Sequence, residues 1–334
     1  GCFTWVTAKL RGEVSVPLIA SNRINTPEVA ESVLARGDAD IVSMARPFLA
    51  DPNFVSKAIE GRADEINTCI GCNQACLDHV FNRKRSSCLV NPQACHELDL
   101  IYERKTSSKR IAVVGAGPAG LACATVAAEC GHQVTLFEAS KEIGGQFNIA
   151  KQIPGKEEFY ETLRYFSRRL EVLNVNVVLG QKVDMAIVKA GHFDEVVIAT
   201  GVLPREPGIS GQDHPKVLSY LDVLRDKKEV GGRVAVIGAG GIGFDICEYL
   251  SHDGNKSSID VGAFLNKWGI DSKNRVRGGL IGIKPDTPTL TREITLLQRK
   301  TTRLGAELGK TTGWIHRASL KTKKIKKCRL LFSK

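Results

Sequence analysis

Ile111-Ala112-Val113-Val114-Gly115-Ala116-Gly117-Pro118-Ala119-Gly120 passes from a short apolar run into a glycine loop, and an Ala-rich stretch follows as far as Cys130. That order predicts a strand, a tight turn and a helix. Gly115 permits the turn, Gly117 lets a pyrophosphate reach the backbone, and Gly120 lets helix and strand pack closely; Ala119 lies in the same loop. The phosphate then faces a helix N-terminus, where free N–H groups and the helix dipole favour an anion. Gln133 to Phe137 reads as the next strand. Glu138 at its end lies eighteen residues after Gly120, where a carboxylate can bind a ribose hydroxyl pair. Strand, loop, helix and acid together predict a dinucleotide-binding unit.

Gly238-Ala239-Gly240-Gly241-Ile242-Gly243 repeats the arrangement after a strand over Arg233 to Ile237. No acid follows at the usual distance. An insertion-like stretch leads instead to the apolar run Ile294 to Leu297 and then to Gln298-Arg299-Lys300. Read as the second strand of this unit, the run places Arg299 and Lys300 where they suit a 2′-phosphate, and so NADPH; a solvated basic strand end is the other reading. Two such units in one chain resemble the FAD/NAD(P)H disulfide-reductase-like family, and Gly144-Gly145-Gln146 and Ala199-Thr200-Gly201 agree with it. The resemblance implies that Gly145 and Gln146 lie along FAD. It also implies a last strand and a Gly-Asp element beside the flavin, which this sequence does not reach, so an incomplete FAD site is expected.

Upstream, an amphipathic opening from Phe3 to Leu10 leads to Val16-Pro17-Leu18-Ile19-Ala20, then to a helix that opens at Pro27 and stops at Gly37. A second apolar run, Ala39 to Ala45, and a helix after Pro52 complete a βαβα unit, as in a parallel sheet or a (β/α)8 barrel. Next, Cys69, Cys72, Cys76, Cys88 and Cys95 fall within 27 residues. Clustered cysteines without secretory features point to metal or redox chemistry rather than disulfides. Cys69-x2-Cys72-x3-Cys76-x11-Cys88 offers four thiolates to a 4Fe–4S cluster or to a structural zinc ion. Cys95, His79 and His96 are alternative ligands.

At 334 residues, 43% hydrophobic and 25% charged, the composition is that of an ordinary globular chain. No stretch has the apolar length of a membrane span and no signal-like segment opens the sequence. The net charge of +11 is local: seven basic residues and no acid lie between Lys321 and Lys334, and without them the balance is +4. Residues 321–334 are read as a solvated basic tail, and nucleic acid is excluded as a partner.

Asn67-Thr68-Cys69-Ile70-Gly71-Cys72-Asn73-Gln74-Ala75-Cys76, Gly144-Gly145-Gln146-Phe147-Asn148-Ile149-Ala150 and Lys310-Thr311-Thr312-Gly313-Trp314-Ile315-His316-Arg317 resemble the bacterial 2,4-dienoyl-CoA reductase family. The likeness runs from the opening helix to about Arg317. It implies an α/β fragment: the C-terminal end of an FMN-binding TIM barrel (1–62), a 4Fe–4S segment (63–104), a Rossmann-like FAD domain (105–232), an NADPH domain (233–320) and the tail (321–334). It implies a 4Fe–4S cluster rather than zinc on Cys69, Cys72, Cys76 and Cys88. Arg23 and the Ala45-Arg46 pair would contact FMN at the ends of the last two barrel strands, where barrels bind phosphate.

The implied whole enzyme is cytoplasmic and acts in unsaturated fatty acid β-oxidation. NADPH gives a hydride to FAD, electrons pass singly through the cluster to FMN, and FMN reduces a small-molecule 2,4-dienoyl-CoA. The family's protonating Tyr and its partner His belong to the upstream barrel, and residues 1–62 contain neither residue type. No catalytic acid is named, and this chain alone is expected not to turn over a dienoyl-CoA. Trimethylamine dehydrogenase-like flavin oxidoreductases share the architecture, and a non-catalytic nucleotide-binding or electron-transfer remnant is the reading from a different class. Oligomeric state is not legible.

Overall fold

The computed structural model describes residues 1–252, 254, 258–271, 273, 275–279, 282, 284–286 and 291–329. It divides into two compact units: Gly1–Phe147 with Glu158–Gly201, and Asn148–Glu157 with Val202–Lys334. None of the described helices is long and apolar enough to cross a membrane.

The first unit opens with α1 (Thr4–Leu10), β1 (Ile19–Ser21), α2 (Pro27–Ala35), β2 (Ile41–Ser43), α3 (Arg46–Ala50) and α4 (Phe54–Ile59). Thr26 caps α2 by accepting a hydrogen bond from Val29 N, Pro27 fills its first turn, and Gly37 beyond its end takes a φ of +71°. β1 and β2 pair in parallel, Ile19 opposite Ile41, over a small core of Ala20, Val33 and Ala39. The cysteine segment that follows contains α5 (Leu77–Phe81).

The second half of this unit runs β3 (Arg110–Val114), α6 (Pro118–Glu129), β4 (Gln133–Glu138), α7 (Phe147–Ala150, of which only Phe147 belongs to this unit), α8 (Phe159–Val172), β5 (Asn176–Leu179), α9 (Met185–Ala190) and β6 (Glu195–Ile198). The strands form one parallel sheet in the order β5-β4-β3-β6. Parallel neighbours require crossovers, and α6 and α8 bury one face each against the sheet. Val113, Leu121, Ala124 and Leu136 are at most 1% exposed and form its centre with Phe166 and Leu170. Thr162, Phe166 and Leu170 recur every fourth residue, which puts them on one face of α8. Full burial of a Leu or Phe side chain contributes about 1.5–3 kcal/mol.

The second unit contains α10 (Tyr220–Leu224), β7 (Arg233–Ile237), α11 (Gly241–Leu250), α12 (Val261–Trp268), β8 (Glu293–Gln298), α13 (Gly313–Thr322) and β9 (Lys326–Arg329). Its sheet is parallel in the order β7-β8-β9. β8 pairs with β7 from Arg233↔Glu293 to Ile237↔Leu297, so the apolar run at 294–297 is the second strand of this unit.

This second compact unit begins at 202 and also takes in 148–157. Ile153 is 3% exposed in the same core as Val223, Phe244, Leu296 and Leu320, and Lys156 Nζ lies 2.6 Å from Asp245 Oδ2. The stretch read as a solvated tail is, over Lys326–Arg329, the third strand of the sheet; residues 330–334 lie outside the described residues. Lys323, in the turn before that strand, is 3% exposed and pairs with Glu248 on α11, while Ile325 packs into the core. Burial alone would raise the Glu248 pKa, but Lys323 and the Ser319 hydroxyl more than offset it and hold the carboxyl below its usual 4.5.

Because Glu248 is more acidic folded than unfolded, its contribution to stability is present above about pH 4.5 and fades as pH falls through its lowered folded value. Lys323→Met leaves that buried carboxylate unpaired and is expected to cost about 3–5 kcal/mol at neutral pH. Chemical unfolding followed by circular dichroism would show it; an unchanged midpoint would mean that the pair does not support the unit.

Candidate functional site

Both glycine loops sit between the end of a strand and the start of a helix. Gly115 has a φ of +105°, and a methyl group there would lie 2.4 Å from Ala199 O; on Gly120 it would lie 1.8 Å from Gly115 O. Gly117 differs: its φ is −75°, and nothing lies within 4 Å of where a Cβ would be. The second loop has the same layout, with Gly238 at +112°, a methyl on Gly243 1.8 Å from Gly238 O, and open space at Gly240. Close contact behind each helix and free space before its N-terminus are what a bound pyrophosphate needs. Ala119 is the second residue of α6. Gly144 N donates to Ala116 O at 2.8 Å, and a methyl on Gly145 would lie 3.0 Å from Gly117 Cα, so the 144–146 turn flanks the first loop, with Gln146 at its end.

The two strand ends carry different chemistry. Glu138 accepts hydrogen bonds from Ala116 N and Ser140 N, both at 2.8 Å. Gly115 N donates to Phe137 O and Gly238 N to Leu297 O. Gln298 therefore stands in the second unit where Glu138 stands in the first, a neutral amide in place of a carboxylate. Its Nε2 donates to Lys300 O at 2.9 Å and Thr302 O at 2.7 Å, which fixes the turn carrying Arg299 and Lys300. Lys300 also pairs with the exposed Glu307. The equivalence of Gln298 was not read from the sequence, because the insertion before β8 hides the register.

Cys69, Cys72, Cys76 and Cys88 line one pocket with Arg46, Leu49, Ile70, Asn73, Ala75, Leu89 and Val90. All four are free thiols. Burial pushes the Cys72 thiol up to about 11, with the neighbouring Cys88, Cys76 and Cys69 adding to it against a backbone hydrogen bond at Gln74; Cys88 is raised chiefly by burial too. Four crowded thiols of this kind ionise when a cation shares their pocket. Among the described residues, no three His, Cys, Asp or Glu side chains are placed to hold a metal ion. The loop wraps the pocket through two left-handed residues, Gly71 at φ +64° and Asn73 at +60°. The alternative ligands show other engagements: His79 Nδ1 lies 3.0 Å from Arg85 O and His96 Nδ1 3.2 Å from Asp99.

The residues expected at the ends of barrel strands turn toward this loop. Arg46 Nη1 donates to Asn73 Oδ1 at 2.6 Å, and Ala45 precedes it as the N-cap of α3. Arg23 Nη2 donates to Glu158 Oε1 at 2.6 Å, a partner 135 residues away that the sequence did not suggest. Burial alone would lower the Arg23 pKa, but the bond and charge of Glu158 outweigh it and the net shift is upward. On the same face of α8, Arg164 donates to Ile66 O at 2.7 Å and also to Asp64 O.

The fold and the two glycine loops are those of the flavin-dependent NAD(P)H oxidoreductase family. The chain belongs to the pyridine nucleotide-disulphide oxidoreductase family, whose model matches residues 109–326, and the model of the NADH:flavin oxidoreductase / NADH oxidase family matches residues 3–65. A metal reductase of Desulforamulus reducens is 35% identical over 329 residues, covering 97% of this chain and 48% of the relative. A cinnamate reductase of Clostridium sporogenes is 32% identical over 251 residues, 75% of this chain and 37% of that one. The solved complex of a 2-naphthoyl-CoA reductase with 2-naphthoyl-CoA superposes with a TM-score of 0.84 at 29% identity, over 98% of this chain and 44% of that one. The chain thus spans about half or less of the length of the relatives it matches.

The two glycines of the first loop make opposite predictions. Gly120→Ala forces Cβ into backbone and is expected to cost about 3 kcal/mol or more, seen as a large drop in Tm. Gly117→Ala fills only open space, so the Tm of the flavin-free protein should hold while flavin affinity falls by about tenfold or more, about 1.4 kcal/mol. Equal effects of both changes on stability would contradict this division of roles.

Proposed function

We propose that this chain is the electron-delivering part of an NADPH-dependent reductase of the 2,4-dienoyl-CoA reductase kind, acting on a conjugated thioester. The observation that carries the reading is the position of the cysteine pocket. Its wall includes Arg46 from the barrel end, and its loop is tied through Asn25, which donates to both Cys69 O and Glu158, to the start of α8, the helix packed on the first dinucleotide sheet. These four thiols would hold a redox group in a pocket that borders both the first unit's opening segment and the start of α8, and that group would supply one-electron transfer.

The four-thiol donor set fits a 4Fe–4S cluster. The four thiols line one pocket, and the resemblance of their spacing to the 2,4-dienoyl-CoA reductase family favours a cluster over zinc. Bound FAD and FMN would supply one- and two-electron redox chemistry, and the cluster a one-electron step between them.

The chain's own residues do the holding. N–H groups at the start of α6 and α11 would face the two pyrophosphates across the open space at Gly117 and Gly240. Arg299 and Lys300 would bind the 2′-phosphate of NADPH, and the neutral Gln298 removes the carboxylate that would repel it. Leu49, Ile70, Ala75 and Val90 would limit the access of water to the cluster. The thioester assignment draws on the overlap with the 2-naphthoyl-CoA reductase, a reductase of another conjugated acyl-CoA.

Anaerobically purified protein is expected to contain about four iron and four acid-labile sulfide per chain; zinc in their place would reduce the pocket to a structural site and remove the relay. Arg299→Ala with Lys300→Ala should cut kcat/KM for NADPH by roughly 10–100-fold with an artificial acceptor, since a charge-assisted hydrogen bond contributes about 1.5–3 kcal/mol. NADH turnover should be unaffected. Equal losses with both nucleotides would point away from 2′-phosphate recognition.

A further inference from the structure

Glu158 precedes the first residue of α8 and reaches the cysteine loop from the dinucleotide-binding half of its unit. Its Oε1 accepts from Arg23 Nη2 at 2.6 Å and from Asn25 Nδ2 at 2.9 Å, and Asn25 Nδ2 also lies 2.9 Å from Cys69 O. Gly71 leaves room for the pair: a methyl group there would lie 2.5 Å from Arg23 Nη1 and 3.1 Å from Glu158 Oε2. Arg23 and Asn22 before it both hold left-handed backbone, φ +56° and +76°, a conformation that non-glycine residues keep only when their surroundings fix it. Arg23 and Glu158 remain 38% and 35% exposed. A pair so exposed adds little to stability, so stability does not explain why two elements 135 residues apart converge on the Cys69–Cys72 turn.

We propose that Glu158 is a positioning residue which, with Arg23 and Asn25, fixes the Cys69–Cys72 turn and balances charge beside the cluster, and so sets the cluster's reduction potential. The inference rests on the cluster reading above. One electron added to the cluster adds one negative charge, with no bond made or broken. Arg23 favours that charge and Glu158 opposes it, while net charge and nearby hydrogen bonds are the means by which a protein tunes such a potential. Intact, the pair presents nearly no net charge to the loop. Broken on either side, it leaves one full charge there.

The test is a dithionite redox titration followed by electron paramagnetic resonance on the anaerobically purified chain, with iron assayed in every sample. Glu158→Gln, which keeps an acceptor of the same shape, should raise the potential. Arg23→Gln should lower it, and the double variant should return toward the wild-type value; Glu158→Asp, which keeps the charge, should stay near wild type. Loss of iron from Glu158→Gln but not from Glu158→Asp or the double variant would also support the inference. Single variants that hold their iron and leave the potential unmoved, or shift it in the same direction, overturn it. Zinc or no metal in the wild-type chain defeats the cluster reading itself and this inference with it. An intact cluster with an insensitive potential defeats only the role of Glu158.

Discussion

A methyl group on Gly120 would lie 1.8 Å from the carbonyl oxygen of Gly115, and one on Gly243 the same distance from Gly238 O. Both distances are to backbone, which cannot swing aside as a side-chain tip can. Each helix is thereby pressed against the turn that precedes it, and its first N–H groups are aimed at the space before Gly117 or Gly240. The strand register then follows. Each glycine loop leaves its strand beside the end of the next one, and that end presents Glu138 in the first unit and Gln298 in the second. The identity of one residue at one strand end thus separates two copies of the same backbone device.

α8 serves two neighbours at once. Thr162, Phe166 and Leu170 face the sheet, while Glu158, Glu161, Arg164, Arg168 and Arg169 lie along the chain from Asp64 to Gly71. Glu65, 5% exposed, shows how such charges are tolerated. Arg62 Nη1 is 3.0 Å from it, with Arg169 and Arg168 at 3.7 and 3.9 Å. A buried carboxylate with three guanidinium groups around it is matched rather than orphaned. The segment leading into Cys69 is therefore held by protein contacts, and the cysteine pocket keeps its wall through them.

The elements with strong local signals were legible: the glycine loops, the capped α2, the Ala-rich α6 and the apolar β8. β5 and β9 were not. Lys326-Lys327-Cys328-Arg329 reads as a charged tail because three of its four residues are basic, yet an edge strand rich in lysine and arginine is one way that sheets discourage further pairing. Its backbone bonds to β8, which composition cannot reveal. The boundary near 148 was hidden for a similar reason, since Ile153 belongs by packing to a core assembled mostly from residues beyond 218.

What the sequence by itself determined is the set of places where backbone geometry depends on one residue and its neighbours. A glycine at φ +105° or a proline in a first turn carries its reason with it, and four closely spaced thiols offer a metal-ligand set whatever surrounds them. Tertiary structure alone decided which distant groups meet: Gln298 in the place of an acid, Lys323 buried against Glu248, and Arg23 against Glu158 beside Cys69. Such pairings depend on strand register and helix packing between residues far apart in the chain, and charged side chains read the same in sequence whether they end in water or against a partner.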